Sequence, residues 1–123
     1  MTEKSVILIV GSDRANLELM VQQFGQEGYE TMSAASLDEL DRAILGKLPI
    51  NVSLIDLAGF DERLWERCDE LRKRKIPFIV ISPRRSPTVR RDGMKHGASG
   101  LLVKPLSIKD LLEYVHTLLG DEL

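Results

Sequence analysis

The sequence has no long hydrophobic run and no N-terminal pattern of a secretory signal. Its longest uninterrupted apolar stretch, residues 6–10, has the length of one β-strand, whereas a helix that crosses a membrane needs about 20 apolar residues. The first residues also lack the apolar core and small-residue cleavage site of a signal peptide. We therefore expect a cytoplasmic protein that does not contact membranes.

Cysteine is scarce and neither sign of charge predominates. Cys68 is the only cysteine, so no internal disulfide can form, which is typical of a reducing compartment. The 17 basic and 19 acidic residues leave a net charge of −2, which argues against direct binding of nucleic acid. With 123 residues and no linker or repeat, the chain is long enough for one core. We expect a single domain over residues 1–123.

What is present is a regular alternation of two hydrophobic periods. Short apolar runs predict strands, and the stretches between them carry apolar residues three and four positions apart, as amphipathic helices do. The predicted strands are 6–10, 29–34, 51–55, 78–81 and 101–103. Helices are predicted around Leu17 to Phe24, Leu37 to Ile44, Leu64 to Leu71, Thr88 to His96 and Ile108 to Leu119. The pattern therefore predicts five β/α units.

Nearly continuous apolar strands joined by helical crossovers indicate a parallel sheet with helices on both faces. The predicted fold class is α/β, a doubly wound five-stranded parallel sheet built as (βα)5. Ligands of such sheets bind beyond the carboxyl ends of the strands. Four polar groups follow strands at that edge, namely Asp56, Ser82, Lys104 and the turn at residues 11–13.

Three of these groups together have the chemistry needed to receive a phosphoryl group. The Asp56 carboxylate can act as the nucleophile. The Lys104 ammonium can offset charge on the transferred oxygens, and the Ser82 hydroxyl can donate a hydrogen bond to one of them. We therefore take Asp56, Ser82 and Lys104 as the candidate catalytic residues.

The order and spacing of these residues resemble those of response-regulator receiver domains over the whole chain. Asp56 matches the family's phosphoacceptor, Ser82 its hydroxyl switch, and Gly97, Ala98, Lys104 and Pro105 its closing motif. The resemblance implies a flavodoxin-like fold with strand order 2-1-3-4-5. It also implies a non-enzymatic signalling module of a two-component or phosphorelay pathway, with a sensor histidine kinase or another signalling protein as its partner.

The sequence departs from the receiver pattern where Mg²⁺ would bind. Receivers carry two acids directly after the first strand, and this chain has Gly11 and Ser12 there. Mg²⁺ binds through carboxylates and retained waters, so we expect most of its affinity to be lost. Asp13 and Asp56 with a backbone carbonyl are the remaining candidate ligands, but Asp13 could instead cap the first helix.

Three further departures concern signal transmission. The loop at residues 57–61 lacks the proline of the usual receiver loop. Pro83 follows Ser82 and removes one backbone N–H donor. Leu101 occupies the position of the family's aromatic switch, so a relay from Ser82 to an aromatic ring is not expected.

With the usual acids absent, Asp56 and Lys104 can neutralise each other directly. We therefore expect Lys104 to pair with Asp56 in the resting protein, and partner binding to be independent of phosphorylation. The alternative is that Asp56 is a structural residue paired with Lys104, because ion pairs also form where there is no chemistry.

A basic cluster follows Ser82 and marks a candidate surface for dimerisation or partner binding. It consists of Arg84, Arg85, Arg90, Arg91 and Lys95, and it favours an acidic partner over nucleic acid. The Lys104 strand and the last helix belong to the same candidate surface. Two other functions stay open: a small-anion or nucleotide binder that uses the turn at residues 11–13, and an enzyme of flavodoxin-like fold.

Overall fold

The computed structural model describes residues 4–120, and strands and helices alternate along this range. The strands are β1 (Val6–Val10), β2 (Glu30–Ala34), β3 (Val52–Asp56), β4 (Phe78–Ser82) and β5 (Gly100–Val103). The helices are α1 (Arg14–Gln26), α2 (Leu37–Leu45), α3 (Leu64–Lys73), α4 (Pro87–Lys95) and α5 (Ile108–Leu119). None of the helices in this range is long and apolar enough to span a membrane.

All five strands are parallel and form one sheet in the order β2-β1-β3-β4-β5. This confirms the predicted (βα)5 flavodoxin-like fold and its strand order. The chain first moves from β1 to one edge and then returns to the other side of β1, so the order reverses between β1 and β3. A crevice opens there at the carboxyl ends of the strands.

Alternate side chains of the central strands point to opposite faces of the sheet, and each face has its own core. One core joins Ile7, Ile9, Leu54 and Ile79 to α1 and α5. The other joins Leu8, Val10, Ile55 and Val80 to α2 and α3. Cys68 belongs to this second core, and its burial raises the pKa of the thiol to about 12.

Helix α4 is packed less deeply than the other helices. Gly93 is its only buried residue, and Val89 is partly buried against the sheet. The helix begins one residue before the predicted range, because Ser86 caps it and Pro87 takes its first position; proline is favoured there since its missing N–H is not needed. Weak burial makes α4 a surface element with most of its side chains available to a partner.

Candidate functional site

The parallel register brings the predicted site residues to one edge of the sheet. Asp56 is the last residue of β3 and Ser82 the last of β4, while Lys104 directly follows β5. Gly11 follows β1, which lies beside β3. The turn after β1 therefore lies next to the Asp56 strand end.

Asp56 and Lys104 are in direct contact. The Lys104 Nζ lies 2.6 Å from Asp56 Oδ2, and the backbone N–H of Ala58 donates to Asp56 Oδ1 at 3.0 Å. The Asp56 side chain is 14% exposed and that of Lys104 38%. Both carboxylate oxygens thus have a donor from the chain itself, and the negative charge has a cationic partner.

Ser82 lies close by but its hydroxyl is directed into its own loop. Its Oγ donates to the carbonyl oxygen of Arg84, and the residue is only 2% exposed. The backbone N–H of Lys104 donates to the Ser82 carbonyl at 3.0 Å, and the peptide bond between Lys104 and Pro105 is cis. Ser82 therefore connects β4 to Lys104 through its backbone, while its hydroxyl stabilises the loop at residues 83–86.

A cavity of about 620 Å³ opens beside Asp56 and Lys104. Its polar wall includes Ser12, Asp13 and Asn16 from the start of α1, and its apolar wall includes Met20, Leu106, Ile108 and Leu111. Ser82 does not line this cavity; it borders a second one together with Phe60 and Trp65. The structure thus brings Asp13, Asp56 and Lys104 to one cavity and places the Ser82 side chain outside it.

The turn after β1 is held by two hydrogen bonds. Ser12 Oγ donates to the Ala58 carbonyl at 2.8 Å, and Asp13 Oδ1 accepts from the N–H of Asn16 at 3.2 Å. Asp13 is therefore the N-cap of α1, one of the two roles considered for it. The Ser12 bond ties the turn to the loop after β3, which sequence reasoning missed because the two residues lie 46 positions apart.

Gly59 is required where that loop meets Ser12. Its φ is +83°, and a Cβ on it would lie 2.3 Å from Ser12 Oγ. A side chain would therefore be strained and would clash. In the sequence, the position of Gly59 in a short loop was the signal that could have indicated this turn. Gly11 differs, because a Cβ there would make ordinary contacts at 3.6 Å from the Cβ of Asp56 and 3.5 Å from Leu17 Cδ2.

Carboxylates are few at this cavity. Asp13 and Asp56 are the acidic residues that line it. Over residues 4–120, no group of three or more Asp, Glu, His or Cys side chains is arranged to hold a metal ion. Asp61, in the same loop as Gly59, is turned to Arg63, whose side-chain and backbone hydrogen bonds hold the pKa of the Asp61 carboxyl below its usual value.

An anion cradle at the turn after β1 is not favoured. The Ser12 hydroxyl is already donated to Ala58, and the Asp13 carboxylate would repel an anion. The fold and the paired Asp56 and Lys104 instead define a small α/β domain with a charged site at its strand ends.

The sequence model of the response regulator receiver domain family matches residues 7–116 of this chain. The chain therefore belongs to this family. Such domains act in two-component signal transduction and typically bind Mg²⁺ at their phosphorylation site.

Similar proteins include transcriptional regulators and a solved receiver domain. The chain is 31% identical to the TorCAD operon transcriptional regulatory protein TorR of Escherichia coli, covering 92% of this chain and 49% of that protein. It is 29% identical to the transcriptional regulatory protein AruR of Pseudomonas aeruginosa, covering 92% of this chain and 48% of that protein. The chain thus spans about half the length of these relatives.

Among solved structures, a CheY-like response regulator receiver domain protein from Methanospirillum hungatei superimposes with a TM-score of 0.87. Its sequence is 28% identical, and the match covers 96% of this chain and 95% of that one.

Proposed function

We propose that this receiver domain binds its partner proteins without needing phosphorylation, and that Asp56 stands at the phosphoacceptor position in a locked resting state. The observation that carries this proposal is the contact of 2.6 Å between Lys104 Nζ and Asp56 Oδ2. It gives the carboxylate a positive partner from the chain itself, so no bound cation is required to neutralise it.

The same contact restrains the chemistry of Asp56. Phosphoryl transfer would form a bond between a carboxylate oxygen and phosphorus while the donor's bond to phosphorus breaks. The attacking oxygen uses a lone pair, and the contacts of Oδ1 with Ala58 N–H and of Oδ2 with Lys104 draw electron density from both oxygens and so make each a weaker nucleophile. Lys104 would have to turn from Asp56 to the incoming phosphoryl oxygens. The acyl phosphate so formed would carry about two negative charges on its phosphate oxygens, and these would lie with the Asp13 carboxylate around one ammonium.

The donor set around Asp56 does not fit Mg²⁺. This ion demands near-octahedral oxygen ligands and is usually held by one or two carboxylates together with waters and phosphate. Here Gly11 has no side chain and Ser12 has a hydroxyl, while Asp13 caps α1 and the Ala58 carbonyl accepts from Ser12. We therefore infer that the absence of acids at residues 11 and 12 weakens the binding of Mg²⁺ at this site.

Partners are proposed from the family and from the surface of this chain. A sensor histidine kinase is the expected upstream partner of a receiver. For recognition of other proteins, we propose the surface formed by α4, β5 and α5, because α4 exposes most of its side chains and β5 lies at the sheet edge.

A titration with Mg²⁺ tests the locked site. We expect no saturation below several millimolar when amide NMR shifts of residues 11–13 and 56–59 are followed, and the same weak response in the Asp56→Asn variant. Weak binding follows from the shortage of carboxylates. Tight, saturable shifts that vanish in Asp56→Asn would show a working metal site and contradict the proposal. NaCl at equal ionic strength serves as the control for screening.

A further inference from the structure

The cavity of about 620 Å³ beside Asp56 has an apolar wall that neither phosphoryl transfer nor a metal ion would use. Met20 and Leu111 form the buried part of this wall, with exposures of 6% and 5%. Leu106 and Ile108 are half-buried and present apolar surface to the cavity. Small-molecule sites usually have volumes of about 300–1,000 Å³ and mostly apolar linings. The wall therefore offers contact area to an organic ligand.

Negative charge is in excess at the polar side of this cavity. Asp13, Asp56 and Lys104 are its charged lining residues, so two negative charges and one positive charge leave a sum of −1. Lys104 is engaged by Asp56, and Arg14, the neighbour of Asp13 in the chain, pairs with Glu39. Within residues 4–120, Asp13 itself forms no ion pair. Its carboxylate thus lines the cavity without a cation to neutralise it.

An organic cation fits this combination of charge and apolar surface better than an anion or a metal ion does. An anion would be repelled by the excess negative charge. A divalent metal ion needs several oxygen ligands, whereas here Asp13 caps α1 and Asp56 is paired with Lys104. An ammonium group needs one carboxylate, and the carbon atoms attached to it gain free energy by covering the apolar wall. The cavity therefore favours an amine that carries an apolar group.

We propose that this cavity binds a small organic amine whose ammonium group pairs with Asp13 and whose apolar part covers Leu106 and Ile108. The contact between Asp56 and Lys104 stays in place in this complex, because Asp13 is the lining carboxylate without a cation. The proposal goes beyond the proposed function, since it adds a small-molecule ligand to a domain whose proposed partners are proteins. It rests on that function only in taking Asp56 as already paired.

An NMR titration of the unaltered chain with three probes tests the class of ligand. The first probe is phenethylammonium. Phenylpropionate has the same ring and spacer but the opposite charge, and ethylammonium keeps the charge without the ring. We expect phenethylammonium to give saturable amide shifts at residues 11–16 and 104–111, with a dissociation constant of about 1 mM. The other two probes should each bind at least about tenfold more weakly, because one loses the charge pairing and the other the apolar contact.

Variants of the two walls test the placement of the ligand. Asp13→Asn removes the charge but keeps the helix cap, since asparagine caps a helix about as well as aspartate does, and it should bind phenethylammonium about threefold to fivefold more weakly. The matched control, Glu27→Gln, loses the same charge at the other end of α1, about 20 Å away along the helix, and its affinity should be unchanged. Ile108→Thr makes the apolar wall partly polar and should weaken binding about threefold.

Four results would overturn the proposal. These are the absence of saturable shifts up to about 20 mM phenethylammonium, equal binding of phenylpropionate, equal losses in Asp13→Asn and Glu27→Gln, and shifts confined to α4 and β5. Spectra of each variant without ligand establish that it is folded. The Mg²⁺ titration of the unaltered chain contains no amine, so failure of the amine site is distinguishable from failure of the locked site.

Discussion

Gly11→Asp/Ser12→Asp is expected to bind Mg²⁺ at least about 100-fold more tightly than the unaltered chain. Each of the two added carboxylates, within a few ångströms of the ion, contributes several kcal/mol at an effective dielectric constant of about 20. The expected gain of about 100-fold is smaller than this sum, because dehydration of the two carboxylates offsets part of it. Isothermal titration calorimetry measures the affinity directly. A rise in melting temperature on addition of Mg²⁺ should accompany it, because a ligand that binds the folded state stabilises that state.

The structure has room for these acids. A Cβ on Gly11 would lie 3.6 Å from the Cβ of Asp56, an ordinary contact, and a carboxylate there would face the same cavity. Replacing Ser12 breaks its hydrogen bond to the Ala58 carbonyl at 2.8 Å and leaves that oxygen available as a further ligand. Without metal, the variant should be less stable than the unaltered chain, because three or four acids then face one lysine.

Gly11→Ala/Ser12→Ala is the matched control for this variant. It adds a Cβ at residue 11 and breaks the same Ser12 hydrogen bond, but it adds no charge, so its Mg²⁺ affinity should stay as weak as that of the unaltered chain. Adding Asp56→Asn to the two-acid variant should lower the regained affinity again. If the two-acid variant gained no affinity, some feature other than the missing acids would be limiting the site.

Lys104→Met is expected to destabilise the protein by about 1–3 kcal/mol, because it leaves a mostly buried carboxylate without its cation. Ala58 N–H would still donate to Asp56, which limits the loss. Asp56→Asn should cost less, about 1 kcal/mol, since the freed ammonium of Lys104 is partly exposed and can be hydrated. The double variant should be more stable than the sum of the two losses predicts, with a coupling of about 1–2 kcal/mol.

Urea unfolding of the unaltered chain, the two single variants and the double variant, at two salt concentrations, measures this coupling. The coupling between Asp56 and Lys104 should persist at high salt, because a pair with one side chain 14% exposed is only weakly screened. The exposed pair of Asp61 and Arg63 is the control, and its coupling should be smaller and should fall as salt is added. A negligible coupling between Asp56 and Lys104 would mean that the contact does not hold the resting site.

Most of the fold could be predicted from the sequence because the sheet buries both of its faces. Strands such as 6–10 and 78–81 read as continuous apolar runs, and stripes such as Leu111 and Val115 identify a helix that covers them. Helix α4 has the weakest apolar pattern in the sequence, because it buries only Gly93. The predicted start at Thr88 was one residue late, because the local capping signals Ser86 and Pro87 were not used.

The site was predictable where it depends on strand ends and unpredictable where it depends on loops. Asp56 and Lys104 come together because parallel register places both at one edge, and the missing acids left the lysine as the nearest charge. The Ser12 bond to Ala58 and the turn of Ser82 to Arg84 depend on loop geometry. The contact of His96 with Asp69 and its stacking on Trp65 join α3 and α4 across 27 and 31 positions, and no local pattern marks such a pairing.

Intact mass spectrometry after incubation with acetyl phosphate, with and without Mg²⁺, tests the central claim most directly. The account predicts little or no phosphate adduct on the unaltered chain in either condition, since Asp56 is held by Lys104 and the Mg²⁺ ligands are too few. The Gly11→Asp/Ser12→Asp variant, which should gain an adduct only with Mg²⁺, shows that the assay works. A Mg²⁺-dependent adduct on most of the unaltered chain that disappears in Asp56→Asn would contradict the account and establish a working phosphoacceptor.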